Sequence, residues 1–273
     1  MSKTRQVHQD LDGRPLPDAE HPIVGLARDY PAEHVVAWHA HEAVQLLYAA
    51  TGLLRVETAA GVWVVPPQRA MWIPAHMPHQ VRVTDAIEMR TLYVHPDLPG
   101  VPGGCRVVAV SPLLRELIVA FAVLPPDYEP EGATARLAHV ILDQLRGPAL
   151  APLHLPLPRD PRLRRVAAGL FADPADGRSL ADWAKVVGAS ARTLSRLFEA
   201  ETGMGFRAWR QHLCLQEALA RLATGEPVTS VAYAVGYDSP SAFIAMFRKA
   251  LGTSPQRYLG GRAGLPAGRR GRK

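Results

Sequence analysis

The chain has little cysteine. Its two residues, Cys105 and Cys214, offer neither a metal-ligand spacing nor a disulfide framework, which fits a reducing compartment and two small buried apolar side chains. Long apolar runs are missing too: nothing approaches the roughly 20 residues that span a bilayer. Residues 1–10 are polar and lack the apolar stretch of a secretory signal. The expected location is the cytoplasm, with no membrane partner. With 48% hydrophobic and 21% charged residues, the chain has enough apolar material for folded cores and too much for a disordered tail. Negative charge is scarce in one half only. Residues 159–273 hold 19 Lys+Arg against 9 Asp+Glu, whereas residues 1–158 hold 12 against 16. A basic half joined to a mildly acidic half points to one domain that meets a polyanion, although a solvated basic surface would carry the same charge.

The text of the chain changes three times. Residues 1–20 are polar, contain Pro15 and Pro17, and read as a leader. Residues 21–110 read as a small β-barrel or sandwich. Short β-type runs at 35–38, 44–50, 53–58, 62–65, 71–73, 81–83 and 89–94 are separated by Gly, Pro or polar breaks. Ala59-Ala60-Gly61 reads as a hairpin turn. After Ser111 the period shifts from two to 3.6. Leu113, Leu117, Ile118 and Phe121 share one helical face, and Leu137, Val140, Ile141 and Leu145 another. Pro148, Pro152, Pro156, Pro158 and Pro161 then form a linker with little expected regular structure. Residues 111–158 are therefore linking helices, available for a homodimer or for packing on the barrel, followed by that linker. Residues 159–260 form a helical domain and 261–273 a basic tail.

The last third contains a repeat at a constant offset of 49. Ser190 maps to Ser239, Leu194 to Phe243, Leu197 to Met246, Phe198 to Phe247, Gly203 to Gly252 and Trp209 to Tyr258. Each copy spells a capped helix with one apolar stripe, and Pro240 adds the favoured proline start. Each follows another short helix that ends in glycine. In the first copy, Ser179 caps a stripe of Leu180, Trp183, Ala184 and Val187, closed by Gly188. In the second, Val228, Val231, Ala232 and Val235 are closed by Gly236. Helix, glycine turn, helix is the helix-turn-helix pattern. With each stripe turned inward, the opposite face is free for a major groove. On the first copy that face carries Arg192, Thr193, Ser195 and Arg196, with Ser190 at its start. On the second it carries Ser239, Pro240, Ser241, Ile244 and Ala245, with Arg248 and Lys249 near the far end. Arginine bonds guanine bidentately, whereas the second face has little hydrogen-bonding capacity. The first unit is therefore expected to read bases, and the second to touch thymine methyls and phosphates. Leu213, Leu215, Leu219 and Leu222 are expected in the core of the helix between the units.

Gly188-Ala189-Ser190, Leu197-Phe198, Glu201-Thr202-Gly203, Val231-Ala232, Gly236-Tyr237 and the closing Ser254-Pro255-Gln256-Arg257-Tyr258 carry a resemblance. Residues 160–260 resemble the DNA-binding domain of the AraC/XylS family of bacterial regulators. That resemblance implies a seven-helix domain whose two units read adjacent major-groove segments of promoter or operator DNA, with RNA polymerase as a partner of an activator.

A second constellation lies in the β-region. His39 and His41 fall on one face of a strand, Gln45 follows, and Pro74, His76 and His79 end a later hairpin. Residues 21–100 resemble the two cupin motifs, with Gln45 in place of a glutamate, His76 in place of a glycine and Val83 in place of a closing asparagine. Cupin-like sensor domains precede the DNA-binding domain in many AraC-type regulators. His39, His41, His79 and Gln45 can hold a divalent metal such as Zn, Ni, Fe or Mn, or form a polar pocket that binds an effector directly or bonds internally. Trp38, Tyr48, Trp63 and Trp72 are either walls of a small-molecule pocket or barrel core; Trp38 and Trp72 join the histidines and Gln45 as effector candidates. The fold expected is two-domain α+β: a cupin-like barrel, linking helices and an all-α double helix-turn-helix domain. The function expected is transcription regulation under a small effector, without catalysis. A cupin metalloenzyme such as a dioxygenase is the rival, but it leaves the repeat without a role. A DNA-architectural protein leaves the barrel without one.

Overall fold

β-Branched and aromatic runs build the N-terminal unit, Met1–Leu157, of the computed structural model, which describes residues 15–66, 69–145 and 154–260. Among the described residues its strands are β1 (Ile23–Tyr30), β2 (Val35–His39), β3 (Val44–Ala49), β4 (Leu54–Thr58), β5 (Gly61–Val65), β6 (Arg69–Ile73), β7 (His79–Val83), β8 (Ile87–Val94), β9 (Arg106–Ala109) and β10 (His154–Pro156). They form two antiparallel five-stranded sheets, ordered β1-β8-β3-β6-β9 and β10-β5-β4-β7-β2. The seven expected runs are all strands. β1, β9 and β10 were not expected. The β1 sequence begins apolar and ends charged, without clean alternation, and it is the full-length register with β8, from Ile23↔Val94 to Tyr30↔Ile87, that holds it extended.

The period of two divides the first sheet between two surroundings. Val44, Leu46 and Tyr48 of β3 and Leu92 and Val94 of β8 face one core. Gln45 and Leu47 of β3 and Met89 and Tyr93 of β8 face a cavity on the other side. The core is closed by α1 (Pro112–Phe121) and α2 (Ala133–Leu145), which contribute Leu114, Ile118, Phe121, Ala135, Ala138 and Ile141. This corrects the expected stripes. Leu113 is 56% and Val140 43% exposed, while Leu114 and the alanines Ala135 and Ala138 are buried. Ser111 accepts from the Leu114 amide and starts α1 at Pro112; in α2 small residues, which a search for bulk passes over, allow the helix to lie close.

The proline-rich segment also needs correction. Pro148 and Pro152 lie outside the described residues. Pro156, expected in an irregular linker, ends β10, which pairs with β5 in the register His154↔Trp63, Leu155↔Val62, Pro156↔Gly61. Leu155 is fully buried. The His154 ring stacks on Trp63 at 4.1 Å, and its Nε2 lies 3.2 Å from the Ala60 carbonyl oxygen. Gly61 makes this possible. Its φ is +153°, and a Cβ there would come within 2.4 Å of Leu155 O and 2.6 Å of His154 Nε2.

The second unit, Pro158–Lys273, is helical. Its described residues form α3 (Pro161–Ala172), α4 (Leu180–Val187), α5 (Ala191–Thr202), α6 (Phe206–Ala223), α7 (Val228–Ala234), α8 (Pro240–Leu251) and α9 (Pro255–Gly260). α6 is the common wall. Leu213, Leu215, Leu219 and Leu222 are buried along it, as are Trp209 and Ala218, and α5, α7 and α9 pack on it. Buried stripes of Trp183, Ala184 and Val187 on α4, Leu194 and Phe198 on α5, Val231 and Ala232 on α7, and Phe243, Met246 and Phe247 on α8 complete two cores. Among the described residues no helix is long and apolar enough to cross a membrane.

Gly61→Val tests the seating of β10. The branched side chain should expel the strand, raise amide exchange in residues 62–64 and at His154 and Leu155, and cost about 1–3 kcal/mol of stability, as overpacking does. Unchanged exchange and an unchanged melting curve would show that the site accommodates a side chain.

Candidate nucleic-acid interface and ligand cavity

Side-chain caps start α4, α5 and α8; α7, which follows Pro227, has none. The Ser179 hydroxyl accepts from the Asp182 amide while the Asp182 carboxylate accepts from the Ser179 amide, a reciprocal box that starts α4. These hydrogen bonds from Ser179 hold the Asp182 carboxyl below its ordinary range. Gly188, at φ 69°, ends α4 and turns the chain into α5, and Gly236, at φ 82°, does the same before α8. Ser190 and Ser239 cap the two second helices by accepting from Thr193 N at 3.0 Å and Ala242 N at 3.3 Å. The Arg178 guanidinium lies 3.8 Å over the Trp183 ring and pairs with Asp176, which fixes the approach to α4.

The outward faces of α5 and α8 differ. On α5, Arg192, Ser195 and Arg196 are exposed and Thr193 is half-buried. The Ser190 and Thr193 hydroxyls lie 2.8 Å apart and bond each other, which leaves the two arginines and Ser195 as the polar groups directed outward. On α8, Ser241 and Ala245 are exposed and Pro240 and Ile244 half-buried; Arg248 and Lys249 are exposed in the last turn.

Sequence reasoning missed a hollow beside the second unit. Arg207, Arg210, Gln211 and Cys214 of α6, with Val235, Gly236, Tyr237 and Met246, line about 340 Å³. The signal was the helical spacing of 207, 210, 211 and 214, hidden because the leucine stripe of α6 draws attention to its other face. Burial raises the Cys214 thiol and pushes the Tyr237 phenol up to about 12.

In the first unit, the cavity between the two sheets has a volume of about 370 Å³. β1 supplies Leu26, Arg28 and Tyr30, β2 Val36 and His39, β3 Gln45 and Leu47, β7 Val81, and β8 Met89 and Tyr93. Tyr30 stacks on His34 at 4.5 Å. Trp38 and Trp72 are not part of this lining. Trp38 stands 46% exposed on the edge strand β2, and Trp72 is 2% exposed in the core under α1 and α2. Strand parity explains the second: Trp72 opposes Leu46, which faces the helices.

His39, His41 and Gln45 line this cavity, and His79, which does not, completes a cluster with the two histidines. His39 and His79 are cross-strand partners on β2 and β7, their rings 4.2 Å apart; the His41 ring lies 5.1 Å from that of His79. One ring nitrogen from each falls within 4.8 Å of the others. Their second nitrogens are occupied alike. Nδ1 of His39 donates to Ala37 O at 2.8 Å, that of His41 to Ala43 O at 2.9 Å, and that of His79 to Met77 O at 2.9 Å. All three Nε2 atoms are thereby left as lone-pair donors. His79 is fully buried and its Nε2 has no hydrogen-bond partner. Burial, with the charge of His39 next, pushes the His79 imidazole down to about 3; burial also lowers His41. A neutral His41 that donates from Nδ1 must accept at Nε2. The Gln45 amide, whose Oε1 position lies 3.1 Å away, therefore turns its nitrogen toward the ring. Nδ1 anchored on backbone carbonyls with Nε2 converging is the arrangement that orients imidazoles around a cation. His76 takes no part in the cluster. Exposed and at φ 59°, it occupies the left-handed position of the motif's glycine, and its amide donates to His41 O at 2.8 Å.

Comparison with known proteins agrees with both halves. Residues 20–142 match the model of the AraC-like ligand binding domain, and residues 183–261 that of a helix-turn-helix domain. The chain is 38% identical over 221 residues to the HTH-type transcriptional regulator NimR of Escherichia coli, covering 81% of each chain. It is 38% identical over 112 residues to the regulator RipA of Corynebacterium glutamicum, covering 40% of this chain and 33% of that one. Among solved structures, fatty-acid-bound ToxT of Vibrio cholerae aligns over 87% of this chain and 95% of its own, at 11% identity and a TM-score of 0.38. The chain belongs to the AraC family of DNA-binding transcriptional regulators, with an N-terminal ligand-binding domain.

Proposed function

We propose that the chain is a cytoplasmic one-component regulator that reads promoter DNA chiefly through α5. The observation that carries this is the exposure of Arg192 and Arg196, one helical turn apart at the N-terminal half of α5, over a stripe buried at Leu194 and Phe198. The N-terminal residues of a recognition helix are those that meet base edges. α8 has the same frame but presents Ser241 and Ala245, and contributes methyl contacts and phosphate contacts from Arg248 and Lys249. The effector occupies the cavity between the sheets. The exposed Leu113 and Val140 on α1 and α2 are the surface for a homodimer, and an activating complex adds RNA polymerase. His39, His41 and His79 hold a divalent metal, with Gln45 at its edge; the metal supplies an electrophilic centre for a donor atom of the effector. Nitrogen ligands suit zinc, nickel or iron.

Salt dependence and base preference separate the two DNA-binding units. Residues 158–273 should fold alone and bind operator DNA with an affinity that falls steeply as salt rises; a folded fragment without salt-sensitive binding would count against the reading. Arg192→Ala and Arg196→Ala should each relax one or two base positions at a cost of about 1–3 kcal/mol. Arg248→Ala should weaken all sequences about equally, as loss of a phosphate contact does, and Ser241→Ala should change little. Selection of sites from a random DNA pool with each variant decides this. A larger change of preference in Ser241→Ala than in the arginine variants would reverse the assignment.

Elemental analysis tests the metal. Protein supplied with zinc or nickel and then desalted should retain about one ion per chain, and His41→Ala should retain almost none, since three ligands are the least a stable site uses. No retained metal in the unaltered protein would retire the idea.

A further inference from the structure

We infer that the effector of this regulator is a small organic anion that binds as an additional ligand of the metal, and that Gln45 makes the binding of metal and anion depend on each other. The inference rests on the metal reading above. It follows from a charge deficit at the site. As ligands, three imidazoles are neutral, and Gln45 is a neutral amide. Among the described residues no carboxylate lines the cavity; the charged side chain there is Arg28, of the same sign as a metal ion. A divalent cation held by His39, His41 and His79 therefore keeps its full charge in a partly enclosed space without an anionic side chain. His79 at 0% and His41 at 4% exposure leave little water to share that charge. A buried charge without a counter-charge is costly, and a ligand that brings one is favoured in proportion.

Gln45 is the switch in this arrangement. Its side chain is spent on the His41 Nε2 lone pair when no metal is present. A metal takes that lone pair and releases the amide, whose N–H groups then face the position an anion would take. A glutamate at 45 would instead supply a permanent negative ligand, and the cation would need no other. The walls give the rest of the ligand's chemistry. Leu26, Val36, Leu47, Val81 and Met89 line the same cavity, so the anionic head carries an apolar body. A volume of about 370 Å³ suits a body of one or two rings.

The test is metal titration of the full chain by calorimetry in chloride-free buffer, with Zn²⁺ or Ni²⁺ alone, with azide, with benzoate, and with neutral benzamide. Azide reports an open coordination position whatever its shape; benzoate adds the apolar body. The expected result is that azide and benzoate each raise metal affinity by about tenfold or more, benzoate more than azide, while benzamide does not; linkage requires the metal to raise anion affinity by the same factor. Gln45→Glu should bind metal about tenfold more tightly without any anion and lose the anion effect. Metal binding that is the same with and without both anions would overturn the inference while leaving the metal site intact. No metal binding under any condition would overturn the metal reading itself. An azide effect without a benzoate effect would keep the anion and remove the apolar body. If Gln45→Glu does not fold, the wild-type titrations still decide.

Discussion

The first sheet of this protein is buried on both faces, and everything in the N-terminal unit follows from how that double burial is shared. Odd positions of β3 and β8 point at the cavity and even positions at the helices. A one-residue slip in register would exchange the two sets and put Gln45 and Tyr93 against α1 and α2. The helical side is filled with Tyr48, Trp72, Phe121 and Ile118, all 2% exposed or less. That packing stabilises the sheet independently of whether the cavity is filled. The cavity side can therefore be left hollow, which costs stability elsewhere but creates room for a ligand.

Much of this was legible in the residues, and the failures have physical causes. Strands with turn signals on both sides were read correctly because local alternation and breakers agree. β1 was missed because its apolar and charged halves show no period, and its pairing with β8 is a long-range fact. The consequence reached the site: Leu26, Arg28 and Tyr30 of the cavity wall are all on β1. Trp72, open in the sequence between pocket wall and barrel core, is core, a choice that residue type leaves undecided because it does not encode strand parity. His39, His41 and His79 were found because a motif fixes their spacing, and the cross-strand pairing of β2 with β7 then sets two of them opposite each other. The roles of their Nδ1 atoms depend on carbonyls two residues away, on backbone conformations that no spacing expresses.

The helical unit was read more fully, since its signals are local. The capping Ser190 and Ser239, the closing Gly203 and Gly252 and the buried residues of α5 and α8 recur at one offset, and the structure gives both copies the same roles. Two units with the same frame nevertheless differ in what they can recognise. The frame is encoded by buried positions and caps, and readout by the three or four residues left outside. These two sets of residues change independently, so one unit keeps arginines while its copy presents alanine and serine. Arg207 and Arg210 show the limit of this reading: a helix assigned to the core has a second face, and its basic residues border a hollow.

One feature of α5 has a mechanical side. Glu201, in its last turn, accepts from the backbone amides of Arg159 at 2.6 Å and Asp160 at 3.0 Å. The far end of α5 is thus tied to residues 159 and 160, just before α3 begins. β10 ends at Pro156, so only Leu157 and Pro158 lie between a strand edge of the sensor and this tie. Two residues, one of them a proline with a fixed φ, leave this stretch few backbone rotations of its own.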